Sequence, residues 1–175
     1  KYPIIPAGLA AAEQSIAGGY KVNMTLCFTQ EQAAAVYAAT RGAQPGDVFL
    51  SPFVGRLDDI GENGMSLITN ISQLFASSDH HVQVLSASVR TLPHLLQSIA
   101  VGSDIITAPF TVLKEWAEAD MPLPDESYTY DSQNLQDISF KNIDLAKSWQ
   151  DYNIHHDLTD KGIERFAKDW NELIS

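Results

Sequence analysis

The spacing of apolar blocks constrains this chain more than any other feature. Four short runs read as strands: "KVNMTLCF" (21–28), "DVFLSPF" (47–53), "VQVLSAS" (82–88) and "SDIITAP" (103–109). Longer amphipathic runs separate them. "AGLAAAEQSIAGG" (7–19) closes on Gly18-Gly19, a good helix stop. "TQEQAAAVYAATRG" (29–42) has Thr29 as N-cap, Gln32 in the capping-box position and Gly42 at its end. Helices follow at 64–78, at 91–102 with proline in its first turn, and at 110–119. Strands alternating with helices of this length predict βαβ units and a parallel sheet in an α/β fold. The 175 residues suffice for one core, so residues 1–175 are read as a single domain. Residues 120–140 carry Pro, Asp and Ser with little period, and two further helices are predicted near 141–152 and 159–173. In the last, Ile163, Phe166, Ala167, Trp170 and Ile174 share one face, which predicts packing against the core.

Composition excludes several classes. A hydrophobic content of 45% argues against disorder. No apolar run approaches the roughly 20 residues of a membrane span, and no basic leader precedes a cleavage site. A net charge of −11 and a pI near 4.6 argue against nucleic acid and anionic membranes as partners. An anionic substrate would need a local basic site. Cys27 is the sole cysteine, so no disulfide framework is expected, and a reducing cytoplasm fits. His80-His81 and His155-His156 are adjacent pairs rather than i, i+4 metal ligands, and are expected at the surface. There is no Gly-rich phosphate loop.

Polar residues gather toward the carboxyl ends of the strands. Side chains alternate across a strand, so Asn23 and Thr25 share a face, as do Ser51 and Phe53, and Ser88 and Arg90. The stretch "FLSPFVGRLDD" (49–59) adds Arg56 and Asp58-Asp59, which could pair with Arg56 or cap a helix. Ligands bind at strand carboxyl ends in parallel α/β folds. Arginines on neighbouring strand ends suit a phosphate or carboxylate, bound bidentately.

"SPFVGRLDD", preceded by "VNMTLCF" and followed by "LSASVR", resembles the transaldolase family. The resemblance runs from Lys1 to about Trp116 and resumes at "LTDKGIERFAKDW" (158–170), leaving 120–157 outside it. It implies a (β/α)8 TIM barrel, of which this chain is expected to form roughly strands five to eight and the C-terminal helices. "KYPIIPAG" sets Lys1 and Gly8 at the family's lysine-to-glycine spacing, so Lys1 resembles the Schiff-base nucleophile. Asn23 resembles the residue that contacts substrate hydroxyls, Thr25 the one that helps hold the catalytic water, and Ser51 the one that binds the dihydroxyacetone part. Arg56, Ser88 and Arg90 resemble the phosphate site. Phe53 matches transaldolases, whereas fructose-6-phosphate aldolases tend to have tyrosine there. Ile5 stands where family members often carry Ser or Thr.

The resemblance implies transfer of a dihydroxyacetone unit from fructose 6-phosphate or sedoheptulose 7-phosphate to an aldose phosphate, within the pentose phosphate pathway. No metal or organic cofactor is required. The family's strand-one aspartate and strand-three glutamate would lie before Lys1. The chain is therefore expected to be the barrel's second half, completed by a preceding segment or by self-association. Two other readings stand beside transfer: free aldolase activity, and an inactive half-barrel.

Overall fold

The computed structural model describes residues 1–175. Its centre is a five-stranded, all-parallel sheet in the order β1-β2-β3-β5-β6. The strands are β1 (Tyr2–Pro3), β2 (Val22–Cys27), β3 (Val48–Pro52), β5 (Val82–Ser86) and β6 (Ile105–Ile106). A two-residue pair, β4 (Glu62–Asn63) with β7 (Gln136–Asp137), lies apart. The helices are α1 (Pro6–Ala17), α2 (Gln30–Ala39), α3 (Val54–Asp58), α4 (Gly64–Phe75), α5 (Leu92–Ala100), α6 (Phe110–Glu118) and α7 (Asp157–Ile174). No helix is long and apolar enough to cross a membrane.

The four expected strands all form, but shorter. A fifth precedes them: Tyr2 and Pro3 pair with Met24 and Thr25, so the sheet opens on the strand stub that follows Lys1, not on a helix. β1 and β6 are both unpaired on their outer sides.

The two faces of the sheet differ. Val22, Met24, Val48, Leu50, Val82 and Val84 are at most 5% exposed. They pack with Leu9 and Ala12 of α1, Ala33–Val36 of α2, and Leu67, Ile68 and Ile71 of α4 in one 30-residue cluster. Burying that apolar area is the main force holding the layers together. The other face carries Asn23, Phe49 and Gln83, all half-exposed, with the buried Thr25, Ser51 and Leu85. No helix covers it.

Residues 120–156 form a strap across the helices rather than a helical insertion. Gly61 O accepts from the Gln136 N–H (2.8 Å) and Asn70 Nδ2 donates to Ile138 O (2.6 Å). Gln30 Nε2 donates to Ser139 O (2.9 Å), and its Oε1 accepts from the Lys141 N–H (2.8 Å). The predicted helix at 141–152 is reduced to a 3-10 turn at Trp149–Asp151. The carbonyls a helix would use are taken: Arg41 donates to Leu145 O and Lys147 O, and Tyr152 Oη to Asp144 O. These tertiary bonds outweigh the local propensity.

The strap returns at Gln32, which is fully buried. Its Oε1 accepts from the Phe28 N–H (2.7 Å) and the Thr29 N–H (3.2 Å). Its Nε2 donates to Ile154 O (2.9 Å) and Thr159 Oγ1 (2.9 Å), and the Thr159 hydroxyl donates to Leu26 O (3.0 Å). One amide thus caps α2 and ties down the start of α7. The apolar stripe of α7 departs from expectation: only Ile163 packs on the core, while Phe166, Trp170 and Ile174 are 40%, 61% and 64% exposed. The helix is anchored through its first two turns, at Thr159 and Gly162, and then runs beyond the body.

Replacing Gln32 by Leu should strand the buried Phe28 N–H and release the strap. We expect a loss of about 2–3 kcal/mol in urea unfolding, the cost of buried groups left unpaired. A loss below about 0.5 kcal/mol, the range of an ordinary surface change, would show that the strap is held elsewhere.

Candidate active site

Two strand ends carry backbone that bulky side chains rarely adopt. β2 bulges between Met24 and Cys27, with Leu26 at φ 63°. β5 ends at Ser86, and Ser88 sits at φ 57°. Bulges of this kind re-aim side chains at functional sites. Simple alternation therefore fails past Thr25 and past Ser86. Ser88 and Arg90 belong to the β5–α5 loop rather than to one strand face.

On the uncovered face, Ser51 Oγ donates to Asn23 Oδ1 at 2.8 Å, which brings two of the expected residues together. Thr25 is 3% exposed and its Oγ1 has no hydrogen-bond partner, the only such buried side-chain atom. A buried hydroxyl retains one donor and two acceptor sites for a bound molecule. Tyr2 Oη meets Ser15 Oγ of α1 at 3.0 Å, so Tyr2 faces the helices. By alternation, Lys1 shares the opposite face with Asn23 and Thr25. Lys1 is exposed, and β1 is unpaired on its outer side.

Beyond these residues runs an aromatic row. His156, the N-cap of α7, stacks on Phe28 (5.1 Å), and Phe28 meets Phe53 edge to face (6.0 Å). The Arg56 guanidinium lies 5.1 Å from the Phe53 ring centroid and 5.4 Å from that of Phe166 on α7. It is attracted to both ring faces. Gly162 makes this possible, since a Cβ there would come within 2.6 Å of Leu26 and 2.8 Å of Arg56 Nη1. Burial lowers the Arg56 pKa, and the neighbouring Arg165 and Arg90 charges add to that. Arg56 makes no ion pair and no hydrogen bond.

Arg90 differs. Its Nη1 and Nη2 donate to Asp59 Oδ1 (2.5 Å) and Oδ2 (2.7 Å). This bond holds the Asp59 carboxyl below its usual range and raises Arg90. Asp58 accepts from the Gly64 N–H (3.0 Å) and lies 2.9 Å from His94 Nε2, while His94 Nδ1 accepts from the Arg90 N–H (3.4 Å). Neither aspartate pairs with Arg56. The Ser88 carbonyl accepts from the Gly55 N–H at 3.1 Å, which docks the Arg90 loop on α3.

His94 and Gly162 were not singled out by the sequence, and Phe166 was expected only to pack on the core. The adjacent Asp58-Asp59 was visible as a pair, but its partners depend on a loop about 30 residues away. Of the histidines expected at the surface, His81 is 1% exposed, lying 2.5 Å from Asp79 Oδ1, 3.2 Å from Thr40 Oγ1 and 4.5 Å from the Tyr37 ring. No cluster of His, Cys, Asp and Glu could hold a metal ion.

Parallel strands and packed helices define an α/β protein, and its polar and cationic groups gather at the strand carboxyl ends, where such folds bind ligands. A sequence model of the transaldolase/fructose-6-phosphate aldolase family matches residues 1–175. The chain belongs to that family, and the match runs unbroken through 120–157, which the motif resemblance had left outside. A probable transaldolase of Brucella anthropi is 37% identical over 170 residues, covering 97% of this chain and 58% of the relative. One from Herpetosiphon aurantiacus is 38% identical over 173 residues, covering 99% and 59%. One from Brucella melitensis biotype 1 is 45% identical over 114 residues, covering 65% and 50%. The chain thus spans 58% or 59% of the length of the first two relatives.

Cys27 takes no part in this site. It is fully buried, and burial raises its pKa from 9.0 to about 12. Between those values the unfolded thiol ionises and the folded one does not, so stability falls as pH rises. Native protein should resist labelling by a disulfide reagent at pH 8, and Cys27→Ala should lessen the alkaline loss of stability. Rapid native labelling would show that the thiol is reached.

Proposed function

We propose that these residues form the substrate-holding part of a transaldolase, which moves a dihydroxyacetone unit from a ketose phosphate to an aldose phosphate. The observation that carries the reading is the grouping on one sheet face. The Asn23–Ser51 pair and the unpartnered Thr25 hydroxyl share it, Lys1 immediately precedes β1 and would join them by strand alternation, and Arg56, which makes no ion pair, lies beyond the strand ends. Lys21 is a poor rival, because its Nζ donates to Gly46 O (2.8 Å) at the amino end of β2.

In this reading the neutral Lys1 amine attacks the ketose carbonyl and water leaves to give an imine, a reaction favoured when burial and nearby positive charge depress a lysine's basicity. The imine accepts the electrons of the breaking C3–C4 bond as the C4 hydroxyl gives up its proton, and the remainder departs as an aldose phosphate. Asn23 and Ser51 hold hydroxyls of the bound three-carbon part, and Thr25 holds a water that relays protons. The enamine carbon then bonds to the aldehyde carbon of the acceptor, and water releases the product. Arg56, Arg90 and the Ser88 loop hold the phosphate and thereby orient the sugar. Phe53 favours transfer over free aldol cleavage. The proton-relaying carboxylate and the covering strands are proposed to come from a preceding segment or a second copy. The reaction as proposed calls on no metal or organic cofactor, and a cytoplasmic location follows from the proposed metabolism.

Borohydride reduction in the presence of fructose 6-phosphate, on protein with a completed barrel, should add a three-carbon mass to the Lys1 peptide. Trapping at Lys21 would sink the assignment. Arg56→Ala and Arg90→Ala should each raise KM for fructose 6-phosphate by about ten- to a hundredfold, the value of a charge-assisted bond, and leave KM for fructose little changed. Equal losses for both sugars would make the arginines structural.

A further inference from the structure

The two arginines are in different states. Arg56 lies between two aromatic rings and has no anionic partner. Arg90 is already occupied: both terminal nitrogens bond the Asp59 carboxylate, and its Nε edge faces Gly55, where a Cβ would come within 2.5 Å. This fork-to-fork arrangement is the one a guanidinium offers to phosphate oxygens. Arg90 cannot hold a phosphate in that way while Asp59 stays.

The adjacent aspartates are held very differently. The Asp58 side chain is 17% exposed and fixed by His94 and by the Gly64 N–H. The Asp59 side chain is 55% exposed, bonds only Arg90, and belongs to the residue that ends α3. Asp59 can therefore turn to solvent without leaving a buried group unpaired. Exposed ion pairs are weak.

We propose that Asp59 is a displaceable counter-anion that occupies Arg90 until a doubly charged phosphate ester replaces it, which makes the site favour dianions over monoanions. This rests on the reading of Arg56 and Arg90 as phosphate ligands. A dianion matches the two guanidinium charges and releases Asp59 to water. A monoanion is satisfied at Arg56 and gains little by evicting one carboxylate to become another. Asp59 is thus a specificity-determining residue rather than part of the chemistry.

The test is calorimetric titration at pH 8, where a phosphate ester is doubly charged, with fructose 6-phosphate and its singly charged analogue fructose 6-sulfate. Asp59→Asn should tighten the phosphate ester by about two- to fivefold, the worth of an exposed pair. It should tighten the sulfate ester by about tenfold or more, because Arg90 becomes open to it. Asp169→Asn removes a carboxylate near Arg56 that does not touch Arg90 and should change neither preference. Adding Arg90→Ala to Asp59→Asn should abolish the gain. Weaker phosphate binding in Asp59→Asn would overturn the proposal, because Asp59 would then be orienting Arg90. Equal tightening of both esters, or a gain that survives Arg90→Ala, would overturn it too. If Arg56→Ala leaves fructose 6-phosphate binding unchanged, the phosphate reading itself fails. If Arg56→Ala weakens binding but Asp59→Asn does not tighten it, only the displacement is wrong.

Discussion

The Gln32 side-chain amide is the joint on which the remaining geometry turns. A buried primary amide must satisfy two donors and an acceptor, and Gln32 does so with groups from three parts of the chain. It caps α2, receives the returning strap at Ile154, and holds Thr159 against the bulged Leu26 carbonyl. With Thr159 fixed, Gly162 lies against Leu26, and Phe166, one turn further, reaches the Arg56 guanidinium. A network this buried is stable only when complete, because an unpaired member costs more than a paired one contributes.

The electrostatic character of the site follows from local arrangement rather than from net charge. The chain carries 22 acidic and 11 basic residues, an unfavourable background for a phosphate ester. Arg90 and Arg165 nonetheless lie close enough to Arg56 to lower its pKa. The Phe53 and Phe166 ring faces attract the Arg56 guanidinium, which burial works against and which makes no ion pair. Screening in water confines distant acidic groups to a weak effect, so a short-range cluster governs what binds.

The strap and the sheet illustrate opposite routes to a stable backbone. The strap has almost no regular structure, and it is held because buried side chains of Gln30, Gln32, Asn63 and Asn70 supply the bonds that a ladder would. Gln30, Asn63 and Asn70 read in sequence as ordinary polar positions within or beside a helix, and Gln32 as a capping-box residue only. The parallel sheet instead uses backbone pairing and one apolar face, and leaves its polar face and both edges open.

Although β1, α3, β4 and β7 were not, the order of the strands at 22–27, 48–52, 82–86 and 105–106 and of the long helices between them, the capping box at Thr29 and Gln32, and the position of Asn23, Thr25, Ser51, Phe53, Arg56, Ser88 and Arg90 at or just beyond strand ends were legible in the sequence. They depend on local periodicity and on short spacings, which a single chain displays directly. The family motifs were legible for the same reason. The tertiary structure alone decided the rest. It put Asp59 on Arg90, turned residues 141–152 into a strap by taking their carbonyls, buried His81, and left Trp170 and Ile174 outside the core. The first three are contests between a local preference and partners elsewhere in the chain, and the last follows from where α7 is anchored; all depend on distances that exist only once the chain has folded.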